Sequence, residues 1–213
     1  MTGGLVALGL TVFAVIFLFE IVDRTNFATI SLAGKHPAKQ VWSGAALAFT
    51  VSSAISVGIG AVVVAYLPAY LMWVKLLGGA ILIAFGLRAV LGGDGEEEER
   101  SAEEKLGPVP PRRVVLTAFA LILFLEMGDN TQILTFEFVA YAGPSPGAVV
   151  LLVVFVAATL ALWCTAAVGA LSGRFLRSRV PAEKLERVLG AILVAIGAVT
   201  IALAIDPTLL PIL

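Results

Sequence analysis

Two short acidic stretches offer the most chemistry in this chain. Glu20-Ile21-Val22-Asp23 and Glu126-Met127-Gly128-Asp129 each set a glutamate three residues before an aspartate, and each lies inside a long apolar run. Side chains three apart share one face of a helix, so each stretch presents two carboxylates in one direction. An ionised carboxylate at the centre of a bilayer costs on the order of 2.5–3.5 kcal/mol, which makes an intramembrane acid a functional candidate by default. Four such charges in a low dielectric cannot stay ionised and empty. They bind a cation, take up protons, or alternate between the two, because burial and like-charge repulsion both disfavour the ionised form. The candidate metal ligands are therefore Glu20, Asp23, Glu126 and Asp129.

The neighbouring side chains are hard oxygen donors: Thr25, Asn26, Asn130, Thr131 and Gln132. Such ligands suit Mn²⁺, Ca²⁺ or Mg²⁺ better than copper or zinc. Arg24 is expected to pair with an acid of the cluster and cut its net charge. Met127 reads either as one soft contact to the ion or, as is usual for a Met in a helix, as packing. A structural polar network between helices is the alternative account of the whole constellation. A fifth acid, Glu137, follows Glu126 by 11 residues, about 20° round the helical wheel and ~16 Å along the axis. It reads either as an outer access or proton-release position or as a simply exposed side chain. Ser53 and Thr159 are separated by the same 106 residues as Glu20 and Glu126. They are expected to line the site or to serve as helix-packing contacts.

Long apolar elements must carry these residues. Of the 213 residues, 60% are hydrophobic and 14% charged, against about 45–50% and ~25% in a soluble domain. A net charge of −1 offers no basic face for nucleic acid. The single Cys164, inside an apolar run, reads as a buried structural cysteine and permits no disulfide framework. The single His36 has no second His or Cys with which to hold zinc. The apolar N-terminus lacks a basic leader and an Ala-x-Ala-type site, so it reads as a first membrane span rather than a signal peptide.

Six segments have the ~20 apolar residues that a span needs: roughly 4–33, 40–66, 68–91, 113–142, 147–172 and 184–206. Gly, Pro and charge clusters punctuate them at 34–37, 68, 92–111, 143–147 and 174–184. The first and fourth are too long. Leu5 to Ala33 as one straight helix would run ~44 Å across a hydrocarbon core of about 30 Å. Each must tilt strongly, bend or break, and any irregularity is expected at the acidic motifs near their middles.

The two halves are similar. Phe19 to Asn26 aligns with Leu125 to Gln132, and Gly79 to Gly86 aligns with Gly190 to Gly197, the latter with six of eight positions identical. Three helices per half send the second half into the membrane from the opposite side, as in the inverted repeats of many secondary transporters. The expected fold is an all-α integral membrane protein with six transmembrane helices in two inverted three-helix repeats. Residues 1–91 form the first repeat, 92–111 an acidic linker, and 112–213 the second. With the N-terminus outside, 12 of the 14 Lys and Arg residues fall in inner loops. The positive-inside rule then places both termini outside and the linker in the cytoplasm.

At these residues the sequence resembles the calcium/manganese:proton antiporters, a family that includes the Golgi Gdt-type transporters, the chloroplast manganese transporters and the bacterial Mne-type manganese exporters. The family's signature is Glu-x-Gly-Asp-(Lys/Arg)-(Thr/Ser), once in each half. The resemblance covers essentially the whole chain, including the acidic central loop. It implies that Glu20, Asp23, Glu126 and Asp129 bind the transported cation. Two positions depart from the signature: Val22 stands where the family has Gly, and Asn130 where it has a basic residue. Both bear on selectivity and coupling.

The function expected is secondary export of a divalent cation, Mn²⁺ first and Ca²⁺ next, in exchange for protons across a plasma (inner) membrane. The cation is substrate, and no prosthetic group or enzymatic activity is expected. The partners are the cation, protons and the lipid bilayer, with no nucleic acid; a homo-oligomer is compatible with the sequence. No Gly-x-x-x-x-Gly-Lys-Ser/Thr phosphate loop is present, which disfavours an ATP-driven pump. The competing readings are an exporter of amino acids or small organic cations of lysine-exporter type, and a structural membrane protein. An intramembrane aspartyl protease using Asp23 and Asp129 would leave both glutamates without a role.

Overall fold

The computed structural model describes residues 2–21, 23–91, 113–127, 129–142, 146–172 and 182–206. Among them the chain forms eight α-helices, one 3-10 turn and no strand. The helices are α1 (Thr2–Glu20), α2 (Arg24–Lys35), α3 (Ala38–Tyr66), α4 (Leu71–Leu91), α5 (Val114–Glu126), α6 (Asn130–Tyr141), α7 (Ala148–Ser172) and α8 (Ala182–Ile205). The linker expected at 92–111 lies outside the described residues.

The two overlong segments are each divided at the acidic motif: 4–33 becomes α1 and α2, and 113–142 becomes α5 and α6. Three helical stretches, Gly3–Glu20, Ala38–Tyr66 and Ala148–Leu171, are long and apolar enough to cross a membrane. The pair α5 and α6, bent by 61°, qualifies as a fourth span if counted together. In α8 the apolar stretch is shorter, Gly190–Ile205. Proline sets the limits of α3, with Pro37 at its N-cap and the 3-10 turn Pro68–Tyr70 just beyond its end, since a Pro ring cannot continue the preceding helix.

Packing is reciprocal between the halves. Helix α1 lies on α7 as α5 lies on α3; α2 packs on α7 as α6 packs on α3; α3 meets α7, and α4 meets α8. The main core runs through α1, α3, α5 and α7, with Val12, Ile16, Phe49, Ile122 and Val154 fully or almost fully buried. A smaller cluster, Phe19, Leu82, Leu134 and Leu193, ties α4 and α8 to the ends of α1 and α6. Two tryptophans lock α3 to α7. Trp42 Nε1 donates to the Trp163 carbonyl at 3.2 Å, and Trp163 Nε1 donates to the Ala46 carbonyl at 3.0 Å, their rings edge to face at 6.1 Å. The outward faces remain apolar, with Leu10, Leu116 and Leu171 largely exposed, as a lipid-facing surface requires. Cys164 belongs to this exterior. The expectation of a buried cysteine is corrected, because an apolar run on a lipid-facing helix need not be a protein core.

The matched stretches 79–86 and 190–197 pack on each other. A Cβ on Gly79 would stand 2.8 Å from the Gly197 carbonyl oxygen, and one on Gly197 would stand 2.6 Å from that of Gly79. Backbones this close tolerate only glycine, the small-residue packing common between membrane helices. Gly86 meets Gly190 in the same manner. The first glycine of each stretch thus faces the last of the other, which makes the pair antiparallel and self-complementary.

Candidate functional site

Each acidic motif sits where a helix stops and a second one starts. In the first, the Asp23 N–H donates to the Glu20 carbonyl at 3.1 Å; in the second, the Asp129 N–H donates to the Glu126 carbonyl at 3.2 Å. Both aspartates are extended N-caps, Asp23 at φ −75°, ψ 159° and Asp129 at φ −79°, ψ 168°. Aspartate is favoured there because its short carboxylate accepts from the first free N–H groups and meets the positive end of the helix dipole. Asp23 Oδ2 accepts from the Thr25 N–H at 3.2 Å. A broken helix also strands carbonyls, and one is answered locally: Asn26 Nδ2 donates to the Ile21 carbonyl at 2.8 Å. Thr29 and Thr135, at matching places in α2 and α6, return their hydroxyls to the carbonyls of Thr25 and Thr131.

The breaks bring the acids together. One carboxylate oxygen each from Glu20, Asp23 and Asp129 lies within 4.8 Å of the others. Glu20 is fully buried and Asp129 nearly so. Neither oxygen of Glu20 has a hydrogen-bond partner among the described residues. A cation at the centre of such a triangle would stand at most about 2.8 Å from each oxygen, slightly beyond the 2.3–2.6 Å of Ca²⁺–O bonds. A contraction of a few tenths of an ångström would ligate it. Two full charges at 4.8 Å repel by about 3–4 kcal/mol at an effective dielectric constant of 20, so a cation or protons must offset the cluster.

Glu126, the fourth expected ligand, is fully buried but stands beside this triad rather than within it. Thr25 Oγ1 donates to Glu126 Oε1 at 3.0 Å, and Thr131 Oγ1 donates to Glu126 Oε2 at 3.3 Å. Thr25 Oγ1 also lies 3.0 Å from Asp23 Oδ2, so its hydroxyl links the two motifs. A hydroxyl has one hydrogen. It serves one of these oxygens at a time, and Asp23 Oδ2 keeps the Thr25 backbone N–H when the hydroxyl turns to Glu126.

The remaining expected residues are placed unequally. Thr25 and Thr131 are buried in the site, whereas Gln132 is half-buried on α6. Ser53 and Thr159 are buried on α3 and α7, each with a hydroxyl that has no hydrogen-bond partner among the described residues. Met127 points outward, 54% exposed, which removes it as a ligand. Val22 and Gly128, and the side chains of Arg24 and Asn130, lie outside the described residues. Glu137 is 4% exposed, so the reading as a surface residue is corrected. Sequence reasoning missed its neighbour Lys75, whose Nζ stands 4.4 Å from the ring centroid of Tyr141. The available signal was a lysine near the start of an apolar segment whose other charge, Arg88, lies 13 residues away at the opposite end.

These features describe a multi-pass helical membrane protein with a buried, carboxylate-rich cluster at two helix breaks. Residues 8–97 and 114–207 match the sequence model of the family described as the divalent cation/proton antiporter GDT1. The chain belongs to that family, whose members are membrane transporters that move divalent cations against protons. No curated protein and no solved structure matches the chain.

Proposed function

We propose that this protein exports Mn²⁺, and Ca²⁺ less readily, in exchange for protons, with Glu20, Asp23 and Asp129 as ligands and Glu126 as the fourth acid of the site. The observation that carries the reading is the triad itself: three carboxylates from two distant motifs, two of them buried, converge within 4.8 Å. A cation and protons compete for such a cluster. Binding the metal displaces protons, and its release requires them back, which is the elementary event of antiport.

Residues 1–91 and 112–213 then act as two inverted repeats of three spans each, joined by a cytoplasmic linker, with both termini outside. Support comes from the reciprocal helix packing and from the antiparallel contact of Gly79 with Gly197. Rocking of one repeat against the other would expose the shared site to each side in turn. Ser53 and Thr159 would supply hydroxyl oxygens when the cation is bound.

Flux of Mn²⁺ and Ca²⁺ in proteoliposomes under an imposed pH gradient tests this. Glu20→Gln and Asp129→Asn are expected to abolish gradient-driven flux of both ions. Parental flux in either variant would remove the site assignment. A parent that moves neither ion would remove the function.

A further inference from the structure

A second polar cluster lies where the beginning of α4 meets the end of α6. Glu137 and Tyr141 are four apart on α6, and Lys75 and Gly78 are three apart on α4, so each pair shares one helix face. The Glu137 carboxylate lies directly against Gly78, in space that a Cβ there would occupy. Neither carboxylate oxygen has a hydrogen-bond partner among the described residues, although the side chain is 4% exposed. The Lys75 ammonium acts on this carboxylate electrostatically while resting over the Tyr141 ring at 4.4 Å. Tyr141 is held in turn, its hydroxyl donating to the Thr200 carbonyl of α8 at 3.0 Å. The charged residues of α8, Glu183, Lys184, Glu186 and Arg187, precede Thr200 by 13 or more residues, about 20 Å of helical rise. Helices α1 and α7 each contain a single ionisable residue, Glu20 and Cys164, and α3 meets α6 through Gly60 against Phe136 and Val139.

Resting on the antiport reading above, we propose that Glu137 is the protein's proton-handling carboxylate on the Lys75–Tyr141 side of the cation site, and that Lys75 keeps the metal ion away from it. Two physical facts separate the proton from the metal here. A proton needs one oxygen, whereas Mn²⁺ or Ca²⁺ needs about six oxygen ligands. Glu137 supplies two, and its neighbours are an ammonium, an aromatic ring and a glycine. The charge balance acts in the same direction. Lysine and carboxylate together sum to zero; a proton raises the pair to +1 and a divalent cation to +2, in a low dielectric where that difference is large. Glu137 follows Asp129 by eight residues, about 12 Å of helical rise, so it cannot ligate a cation held at the triad. Its carboxylate takes one proton from water on its own side of the membrane. It returns to carboxylate on passing that proton, through water, to an acid that the cation has left. Only O–H bonds are made and broken.

The test compares three measurements on full-length protein: Mn²⁺ binding read as thermal stabilisation in detergent, Mn²⁺/Mn²⁺ exchange at equal pH, and Mn²⁺ flux driven by a pH gradient. Glu137→Gln is expected to keep the first two within about twofold and to lower the third by tenfold or more. A loss spread equally over all three would mark a structural or ligand role and overturn the proposal, as would unchanged gradient-driven flux. Lys75→Gln gives an independent arm should Glu137→Gln fail to fold. In that variant Mn²⁺ added on the Lys75 side should inhibit gradient-driven flux at concentrations tenfold below those affecting the parent, and Lys75→Gln with Glu137→Gln should lose the extra inhibition. Equal inhibition of Lys75→Gln and parent would overturn the role given to Lys75. Absence of gradient-driven flux in the parent would instead refute the antiport reading, so the two failures are distinguishable.

Discussion

Thr25→Val gives the sharpest test of how the two motifs are joined. The substitution is close to isosteric and deletes one hydroxyl, which lies 3.0 Å from Asp23 Oδ2 and 3.0 Å from Glu126 Oε1. The backbone N–H of residue 25 still reaches Asp23 at 3.2 Å, so the cap of α2 survives. One hydroxyl hydrogen can satisfy one of the two carboxylates at a time. The loss is therefore one hydrogen bond to a charged group, about 1.5–3 kcal/mol, rather than two. At about 1.4 kcal/mol per tenfold, Mn²⁺ should bind roughly 10- to 100-fold more weakly. That matches the 10- to 100-fold typical when a group orienting a metal ligand is removed. Titration calorimetry in detergent reads the change directly, and Thr25→Ser should restore parental affinity. Parental affinity in Thr25→Val would refute the bridging role. An equal loss in Thr25→Ser would show that the methyl group, rather than the hydroxyl, matters.

Further outcomes follow from the same geometry. Because cation and protons share the carboxylates, apparent Mn²⁺ affinity should fall as pH falls, with log Kd changing by more than one unit per pH unit if two or more protons are displaced; pH-independent binding between roughly pH 5 and 8 would contradict competition. Gly197→Leu must push α8 off α4, since even a Cβ would stand 2.6 Å from the Gly79 carbonyl oxygen, and thermal unfolding in detergent should register a loss of at least about 1–3 kcal/mol. Gly58→Ala is its control: nothing lies within 4 Å of the added Cβ, so the same assay should show no loss and a gain of up to about 1 kcal/mol from helix propensity. For orientation, single cysteines replacing Ala102 and Ser145 in a Cys164→Ser background should differ in intact cells. An impermeant maleimide should label the cysteine at 145 and spare the one at 102, and the reverse pattern would invert the topology.

The helix breaks were legible because they follow from length. About 29 apolar residues exceed a ~30 Å core at 1.5 Å per residue, and an acid at the middle of such a run is a favourable place to stop: Asp23 caps the new helix with its side chain, and Asp129, which makes no side-chain cap bond, still meets the positive end of the helix dipole. The convergence of Glu20, Asp23 and Asp129 was legible in part, because two copies of one motif in two similar halves point to a shared site. The separate place of Glu126 was not. It depends on which acid the hydroxyl of Thr25 reaches 101 positions away, and no spacing rule encodes a contact between helices. Lys75 was hidden for a similar reason. Its significance lies in Tyr141 and Glu137 on another helix, whereas in its own segment it is one of two basic residues at the ends of an apolar stretch, with Arg88 at the other end. The docking of the half-buried Trp42 and Trp163 against each other's helices belongs to the same class of non-local detail.

The asymmetry of the acids bears on how such a site would work. Two motifs related by a two-fold axis can form a symmetric cluster of four carboxylates, yet here three acids group together and Glu126 is drawn aside by Thr25 and Thr131. Exchanging the halves would give the mirror arrangement: Glu126, Asp129 and Asp23 grouped, with Glu20 drawn aside by Thr131 and Thr25. Two packings related by the repeat differ in energy only through positions where the copies are unequal, such as Val22 against Gly128 and Arg24 against Asn130. On the inverted-repeat reading proposed above, the chain would have two nearly degenerate states from one set of contacts, and the unequal positions would set which one is favoured. Val22→Gly and Asn130→Arg, each making the two motifs more alike, should then shift the ratio of inward to outward Mn²⁺ transport rates without abolishing Mn²⁺ binding. Counterflow measured in both directions across sided proteoliposomes would show it. An unchanged ratio in both variants would mean that the bias resides elsewhere, in the paired glycine faces of α4 and α8 or in the Lys75–Glu137 contact.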